Sequence, residues 1–109
     1  MQLTFLGKET QGGGSPTLFA TDRDTYVVQG WKVPGQSARV EIPTKLLRHL
    51  AGLPGLAAIL QDTGHDSYVL AGVPVTDPEA LAQMDVPGHE TCVEVGKGRE
   101  GDAHGAATG

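Results

Sequence analysis

Thr21–Val33 reads TDRDTYVVQGWKV, and Thr63–Val75 repeats it as TGHDSYVLAGVPV, 42 residues further along the chain. Six of the thirteen positions are identical, including an aspartate, a Tyr-Val pair and a glycine. The match continues after a change of offset, because Val40–Ile42 (VEI) corresponds to Val93–Val95 (VEV). Internal repetition of this kind predicts two similar supersecondary units that bury their apolar faces against each other.

The length of the chain, 109 residues, is enough for one modest hydrophobic core and predicts a single domain. We expect this domain at residues 1–95, with repeated units at about 21–43 and 63–95. The glycine-rich residues 96–109 predict a disordered tail, and Gly12–Ser15 predicts a flexible linker.

Local sequence patterns predict an α+β fold: mainly antiparallel strands in two repeated units that share one core, with two short helices. The first helix is expected to begin at Pro43, and the second to cover Ala80–Met84 behind a capping box of Thr76 and Glu79. Ala57–Gln61 is expected to be a strand that forms a hairpin with the second repeat. Seven apolar residues are expected in the shared core, namely Leu46, Leu47, Leu50, Val27, Val69, Ile59 and Val93.

Charge is distributed unevenly along the chain, whose net charge is −5. Residues 1–48 carry a net charge of +2, whereas residues 49–96 contain no Lys or Arg and carry −7. This asymmetry indicates one mildly basic and one acidic surface, unless both are ordinary solvated faces. Met1–Leu6 has no signal-peptide pattern and no segment is apolar over the length of a membrane span, so we expect a cytoplasmic protein without a membrane partner.

The residues that could support catalysis or bind a metal form no recognised arrangement. The four histidines lack the spacing of a metal-ligand pair, and a single cysteine excludes an internal disulfide framework. The glycine run Gly12–Ser15 is not followed by the lysine and helix of a phosphate-binding loop. We therefore expect no catalytic residue, no metal and no cofactor, and we rank an enzyme behind a binding protein.

Four short segments resemble a family of small proteins from high-GC actinobacteria: Phe5–Lys8 (FLGK), Gly14–Thr17 (GSPT), Gln29–Lys32 (QGWK) and Val40–Pro43 (VEIP). The resemblance covers about residues 3–50, and this chain departs from the family by its second copy at residues 57–95. No biochemical activity is established for these proteins. Their genes commonly lie near helix-turn-helix regulators, so the resemblance implies such a regulator as a protein partner.

A second segment, Arg39–Leu50 (RVEIPTKLLRHL), resembles the V-x-I-P-x-x-L-R-x-x-L core of the AbrB/MazE-type swapped-hairpin DNA-binding fold. This resemblance implies a homodimer that binds nucleic acid as a transcription regulator or antitoxin. Under it, Arg39, Lys45 and Arg48 would contact the phosphates of DNA.

Two functions therefore remain in competition. The acidity of residues 49–96 favours a non-catalytic protein-binding module in a bacterial regulatory system, whereas the basic cluster favours the AbrB-like alternative. Trp31, the single tryptophan, either closes the core between the repeats or is an exposed hot spot for a partner. The candidate partner-binding residues are Trp31, Asp62, Asp66 and Glu90.

Overall fold

The computed structural model describes residues 1–9 and 16–98 of the chain. The predicted linker Gly12–Ser15 lies outside the described residues. Within them the chain forms eight strands, one 3-10 helix and one α-helix. In chain order these are β1 (Leu3–Lys8), β2 (Thr17–Thr21), β3 (Thr25–Val33), β4 (Gln36–Pro43), the 3-10 helix (Thr44–Leu50), β5 (Gln61–Asp62), β6 (Ser67–Ala71), β7 (Val73–Pro74), α1 (Pro78–Ala82) and β8 (Glu90–Gly96).

All the strands belong to one sheet, and every pairing between them is antiparallel. Strand β3 is the longest and pairs with β2, β4 and β8. Strands β6 and β7 are separated by a single residue, Gly72, and follow each other directly. Strand β3 pairs with β4, β4 with β6, β7 with β8, and β8 again with β3. The predicted α+β class, with mainly antiparallel strands and two short helices, is confirmed.

The two copies of the repeated sequence have the same strand register. Residues of β3 and their counterparts in β6 and β7 face corresponding partners on β4 and β8. Tyr26 pairs with Val95 as Tyr68 pairs with Ile42. Val28 pairs with Val93 as Leu70 pairs with Val40. Trp31 pairs with Glu41 as Val73 pairs with Glu94. The turns that precede β3 and β6 also share a backbone conformation, since Asp24 has φ 59° and Asp66 has φ 62°.

Two glycines allow strands to pass unusually close to each other. A Cβ atom on Gly30 would lie 2.5 Å from the carbonyl oxygen of Glu41, and one on Gly72 would lie 2.7 Å from that of Glu94. Both distances are shorter than any Cβ contact, so the sheet requires glycine at these matched positions.

Apolar side chains pack in two clusters rather than in one shared core. The larger cluster contains Leu46, Leu50 and Val93 from the predicted set, and Leu47 packs against it. Val27 lies in the smaller cluster with Phe19 and Cys92. Neighbouring residues of β3 and of β8 belong to different clusters because successive side chains of a strand point to opposite faces.

Ile59 is 71% exposed, so its predicted place in the core was wrong. It lies in the segment Ala57–Gln61, which forms a strand only at its end, where β5 begins. The preceding residues bond to the end of β8 instead, through the Ala57 N–H and the carbonyl of Gly96 at 2.9 Å. This segment therefore crosses the end of the sheet and leaves Ile59 in solvent.

The helices begin close to their predicted positions. Pro43 precedes the 3-10 helix, and Leu46 and Leu50 of that helix are buried. Helix α1 is capped by Asp77, whose Oδ2 accepts a bond from the Ala80 N–H at 3.1 Å. The predicted capping box at Thr76 is thus shifted by one residue, because Pro78 occupies the first turn and has no N–H to satisfy.

The described secondary structure continues past residue 95. Strand β8 includes Gly96, and Lys97 forms a bridge with Leu56. The rest of the predicted tail, from residue 99, lies outside the described residues. In the part of the chain that the structure describes, no helix has the length and apolar character needed to cross a membrane.

Candidate functional site: an open cleft at Trp31

A cavity of about 410 Å³ opens where β3, β4 and the turn before β6 meet. Trp31 of β3 stands opposite Glu41 of β4 in the strand register, and both side chains line the cavity. The turn supplies His65 and Asp66 to the same cavity. The remaining lining residues are Pro43, Thr44, Lys45 and Ser67. The site is therefore a polar cleft with one half-buried aromatic side chain.

The Glu41 carboxylate is held by a hydroxyl relay. Ser67 donates from its Oγ to Oε2 of Glu41 at 2.6 Å, and the hydroxyls of Thr63 and Ser67 lie 2.6 Å apart. Within residues 1–9 and 16–98, neither Glu41 nor Asp66 forms an ion pair with a basic side chain. The cleft thus presents two carboxylates that form no ion pair with the described residues, although Lys45 lines the same cavity.

At the corresponding place in the other copy of the repeat, which we call the filled cleft, the matched carboxylates Glu94 and Asp24 form ion pairs. Glu94 takes the place of Glu41, and its Oε2 accepts a hydrogen bond from the Thr25 hydroxyl at 2.5 Å. Its other oxygen, Oε1, lies 2.8 Å from Nη2 of Arg23. Asp24, which corresponds to Asp66, lies 3.0 Å from Nζ of Lys97. The same ammonium lies 5.4 Å from the ring centre of Tyr26.

The two clefts differ in their residues at a few matched positions. Where the filled cleft has Arg23, the open one has His65, and where the filled cleft has Lys97, the open one has Thr44. Trp31 replaces Val73. The open cleft therefore has no basic side chain at the positions of Arg23 and Lys97, contains Lys45 at another position, and has an aromatic surface.

Two of the four predicted partner-binding residues, Trp31 and Asp66, lie together in this cleft. Asp62 is exposed but outside the cleft, and its Oδ1 accepts a hydrogen bond from the Gly64 N–H at 2.8 Å. Glu90 is 2% exposed and accepts a hydrogen bond from Gln29 at 2.7 Å. Its carboxylate is thus engaged inside the protein rather than presented to a partner.

The three predicted DNA contacts have different immediate surroundings. Lys45 lines the open cleft, whereas Arg39 lines a separate cavity with Ile59 and Val69. Arg48 lies 2.9 Å from the carboxylate of Glu9, which also contacts His49 at 2.8 Å. These neighbours hold the pKa of Glu9 below its usual value, mainly through the hydrogen bond with His49.

The buried thiol of Cys92 has a raised pKa because burial disfavours the thiolate. It therefore stays protonated at neutral pH and is a poor nucleophile. Among the described residues, no group of three or more His, Cys, Asp or Glu side chains is arranged to hold a metal ion.

Sequence reasoning missed Glu41 and Ser67 as cleft residues. A signal was present, because Glu41 matches Glu94 in the extended repeat and Ser67 matches Thr25. Comparisons of the chain with protein families, with curated proteins and with solved structures give no match. The cleft therefore has to be interpreted from its own chemistry.

Proposed function

We propose that this protein is a non-catalytic, protein-binding module of a bacterial regulatory system, and that it binds its partner through the open cleft. The observation that carries the proposal is the half-buried Trp31 beside two carboxylates that form no ion pair with a described residue, although Lys45 also lines the cleft. Tryptophan is enriched among the residues that dominate binding energy at protein interfaces. A cytoplasmic location agrees with this role, and a helix-turn-helix regulator is the partner class that the actinobacterial resemblance implies.

We also propose that the fold consists of two copies of one unit. The shared register, the two positive-φ aspartates and the two close-approach glycines support this interpretation. Under it, one copy keeps its cleft filled by internal ion pairs and maintains the fold. The other copy has become free to bind a partner.

A photo-crosslinking residue placed at Trp31 tests the proposed function. Phe5 is the matched control, because it is an aromatic residue of β1 that is 59% exposed and does not line the cleft. We expect a specific cross-linked protein from position 31 and none from position 5 when both variants are expressed in the native host. The complex should then be rebuilt from purified components, and Trp31→Ala should weaken it by roughly tenfold or more, as hot-spot truncations do.

Equal cross-linking from both positions, or a reconstituted complex that Trp31→Ala leaves unchanged, would contradict the proposal. A cross-link to a second copy of this chain would identify a homodimer as the complex formed through the cleft.

The AbrB-like regulator is the alternative, supported by the order of β4, Pro43 and the helix that carries Lys45 and Arg48. It requires duplex binding whose affinity falls steeply with salt, because released counterions drive phosphate contacts. A mobility shift at two salt concentrations tests it. Salt-sensitive binding that is lost when Arg39, Lys45 and Arg48 are all replaced by alanine would favour the alternative over the protein-binding module.

A further inference from the structure

We infer that the open cleft binds a basic side chain of the partner, with an arginine guanidinium on Glu41. The inference deepens the proposed function and rests on it. Its basis is the comparison of two clefts within one chain: one holds its cations internally, and the other has the same carboxylates without them.

The geometry of the filled cleft shows how the matched carboxylate binds a guanidinium. In Glu94, one oxygen accepts from the Thr25 hydroxyl and the other contacts Arg23. In Glu41, Oε2 accepts from Ser67 in the same way, and no bond to Oε1 is formed by the described residues. Glu41 Oε1 thus corresponds to the oxygen that Arg23 contacts in the other copy.

The open cleft also has a position for a second basic group, which corresponds to the site of the Lys97 ammonium in the filled cleft. Asp24 pairs with the ammonium of Lys97, which also lies over the ring of Tyr26. Asp66 and Tyr68 are the corresponding residues, and within the described part of the chain Asp66 forms no ion pair and Tyr68 no cation–π contact. A partner segment with two basic side chains therefore matches both carboxylates.

Trp31 explains why a guanidinium fits better than an ammonium at the Glu41 position. A planar guanidinium stacks on an indole face while it donates hydrogen bonds to a carboxylate at its edge. The filled cleft has Val73 at this position, and its guanidinium comes from Arg23, which is 60% exposed. An incoming arginine would gain an aromatic contact that the internal one lacks.

Lys45 opposes this binding. It lines the cleft and forms no ion pair with a described residue, so its ammonium repels an incoming cation. Removing it should strengthen the binding of a basic peptide, whereas the DNA-binding alternative requires the same change to weaken binding. One variant thus separates the two functions by the sign of its effect.

The test is a heteronuclear NMR titration of the full chain with an octapeptide of Gly and Ser that carries a central Arg-Lys pair. The control peptide replaces this pair by citrulline and norleucine, which keep the shape of the side chains and remove both charges. We expect saturable shifts of the Trp31 indole N–H and of the amides of residues 63–67. The affinity should exceed that for the control peptide by roughly tenfold or more, as for charge-assisted hydrogen bonds.

Three variants complete the experiment. Glu41→Gln should weaken binding of the basic peptide by roughly tenfold, and Lys45→Ala should strengthen it about two- to threefold. Asp85→Asn is the matched control, because it removes the same charge from an exposed residue outside the cleft and should leave affinity nearly unchanged. Free N-acetyl-arginine amide, titrated separately, should bind more weakly than the peptide if the ligand is a protein segment.

Equal binding of the basic and citrulline peptides would overturn the inference, as would equal losses in Glu41→Gln and Asp85→Asn. Absence of any shift would overturn it as well. Such results would leave the proposed function standing if position 31 still cross-links a protein partner, so the two failures are distinguishable.

Discussion

At the scale of single residues, matched sequence positions adopt matched geometry while their contacts diverge. Asp24 and Asp66 share a positive φ, and Thr25 and Ser67 both donate to a glutamate. The divergence comes from residues far apart in the chain, such as Arg23 and Glu94. Hydrophobic periodicity relates residues that are close together in the chain. It therefore could not predict in which copy the carboxylates would form ion pairs with other residues of the same chain.

The contact of Glu9 with His49 and Arg48 predicts a pH-dependent contribution to stability. Because the pKa of Glu9 is lowered in the folded protein, its ionised form favours folding at pH values above its ordinary value of 4.5, and this contribution is lost as pH falls through the lowered pKa. Glu9→Gln should therefore lower Tm at pH 7, and this deficit should be smaller near pH 3. Thermal melts of both proteins across this range provide the measurement.

Asp85→Asn is the control for this prediction, since Asp85 is exposed and has no ion-pair partner among the described residues. Its effect on Tm should be small at both pH values. A Glu9→Gln deficit that persists unchanged at pH 3 would show that the contact acts through packing rather than through charge.

At the scale of elements, strand positions followed from the sequence better than strand ends and partners did. Strands β3, β4 and β8 lie in segments rich in apolar and β-branched residues, and in β3 and β8 both faces contribute to an apolar cluster. The apolar run at residues 57–60 was misinterpreted as a strand. Its backbone bonds to the end of β8, and no local pattern encodes that contact.

The two close-approach glycines should be intolerant of a single methyl group. Gly30→Ala and Gly72→Ala each place a Cβ against a backbone carbonyl, and overpacking of this kind costs about 1–3 kcal/mol. A loss of this size lowers Tm by roughly 4–8 °C per kcal/mol in a domain of 60–100 residues. Differential scanning calorimetry measures the shift directly.

Gly88→Ala provides the comparison, because a Cβ there would meet no atom within 4 Å and its φ is not in the left-handed region. Its Tm should match that of the wild type or rise slightly, since alanine restricts the unfolded chain. If all three variants have the same Tm, the strands can move apart at Gly30 and Gly72 without a loss of stability.

At the scale of the whole molecule, one sheet has apolar clusters on both of its faces, and this arrangement explains why a single shared core was a wrong expectation. Val27 and Val28 are both fully buried, yet they belong to different clusters. The repeat predicted two similar units, but a sequence pattern does not say which faces of a sheet will be covered. The 3-10 helix covers the face that carries the larger cluster, since its residues Leu46 and Leu50 belong to that cluster.

The larger cluster should carry most of the stability of the domain. Leu46 is fully buried in it, and truncation of a buried leucine to alanine typically costs about 2–5 kcal/mol. Since small domains have a total stability of about 5–15 kcal/mol, Leu46→Ala should unfold at a much lower urea concentration than the wild type. Ile59→Ala is the matched aliphatic control, and it should change stability by less than about 0.5 kcal/mol because its side chain is already in solvent. Equal midpoints for the two variants would mean that the 3-10 helix contributes nothing to the core, and the packing of Leu46 in the larger cluster would then have to be abandoned.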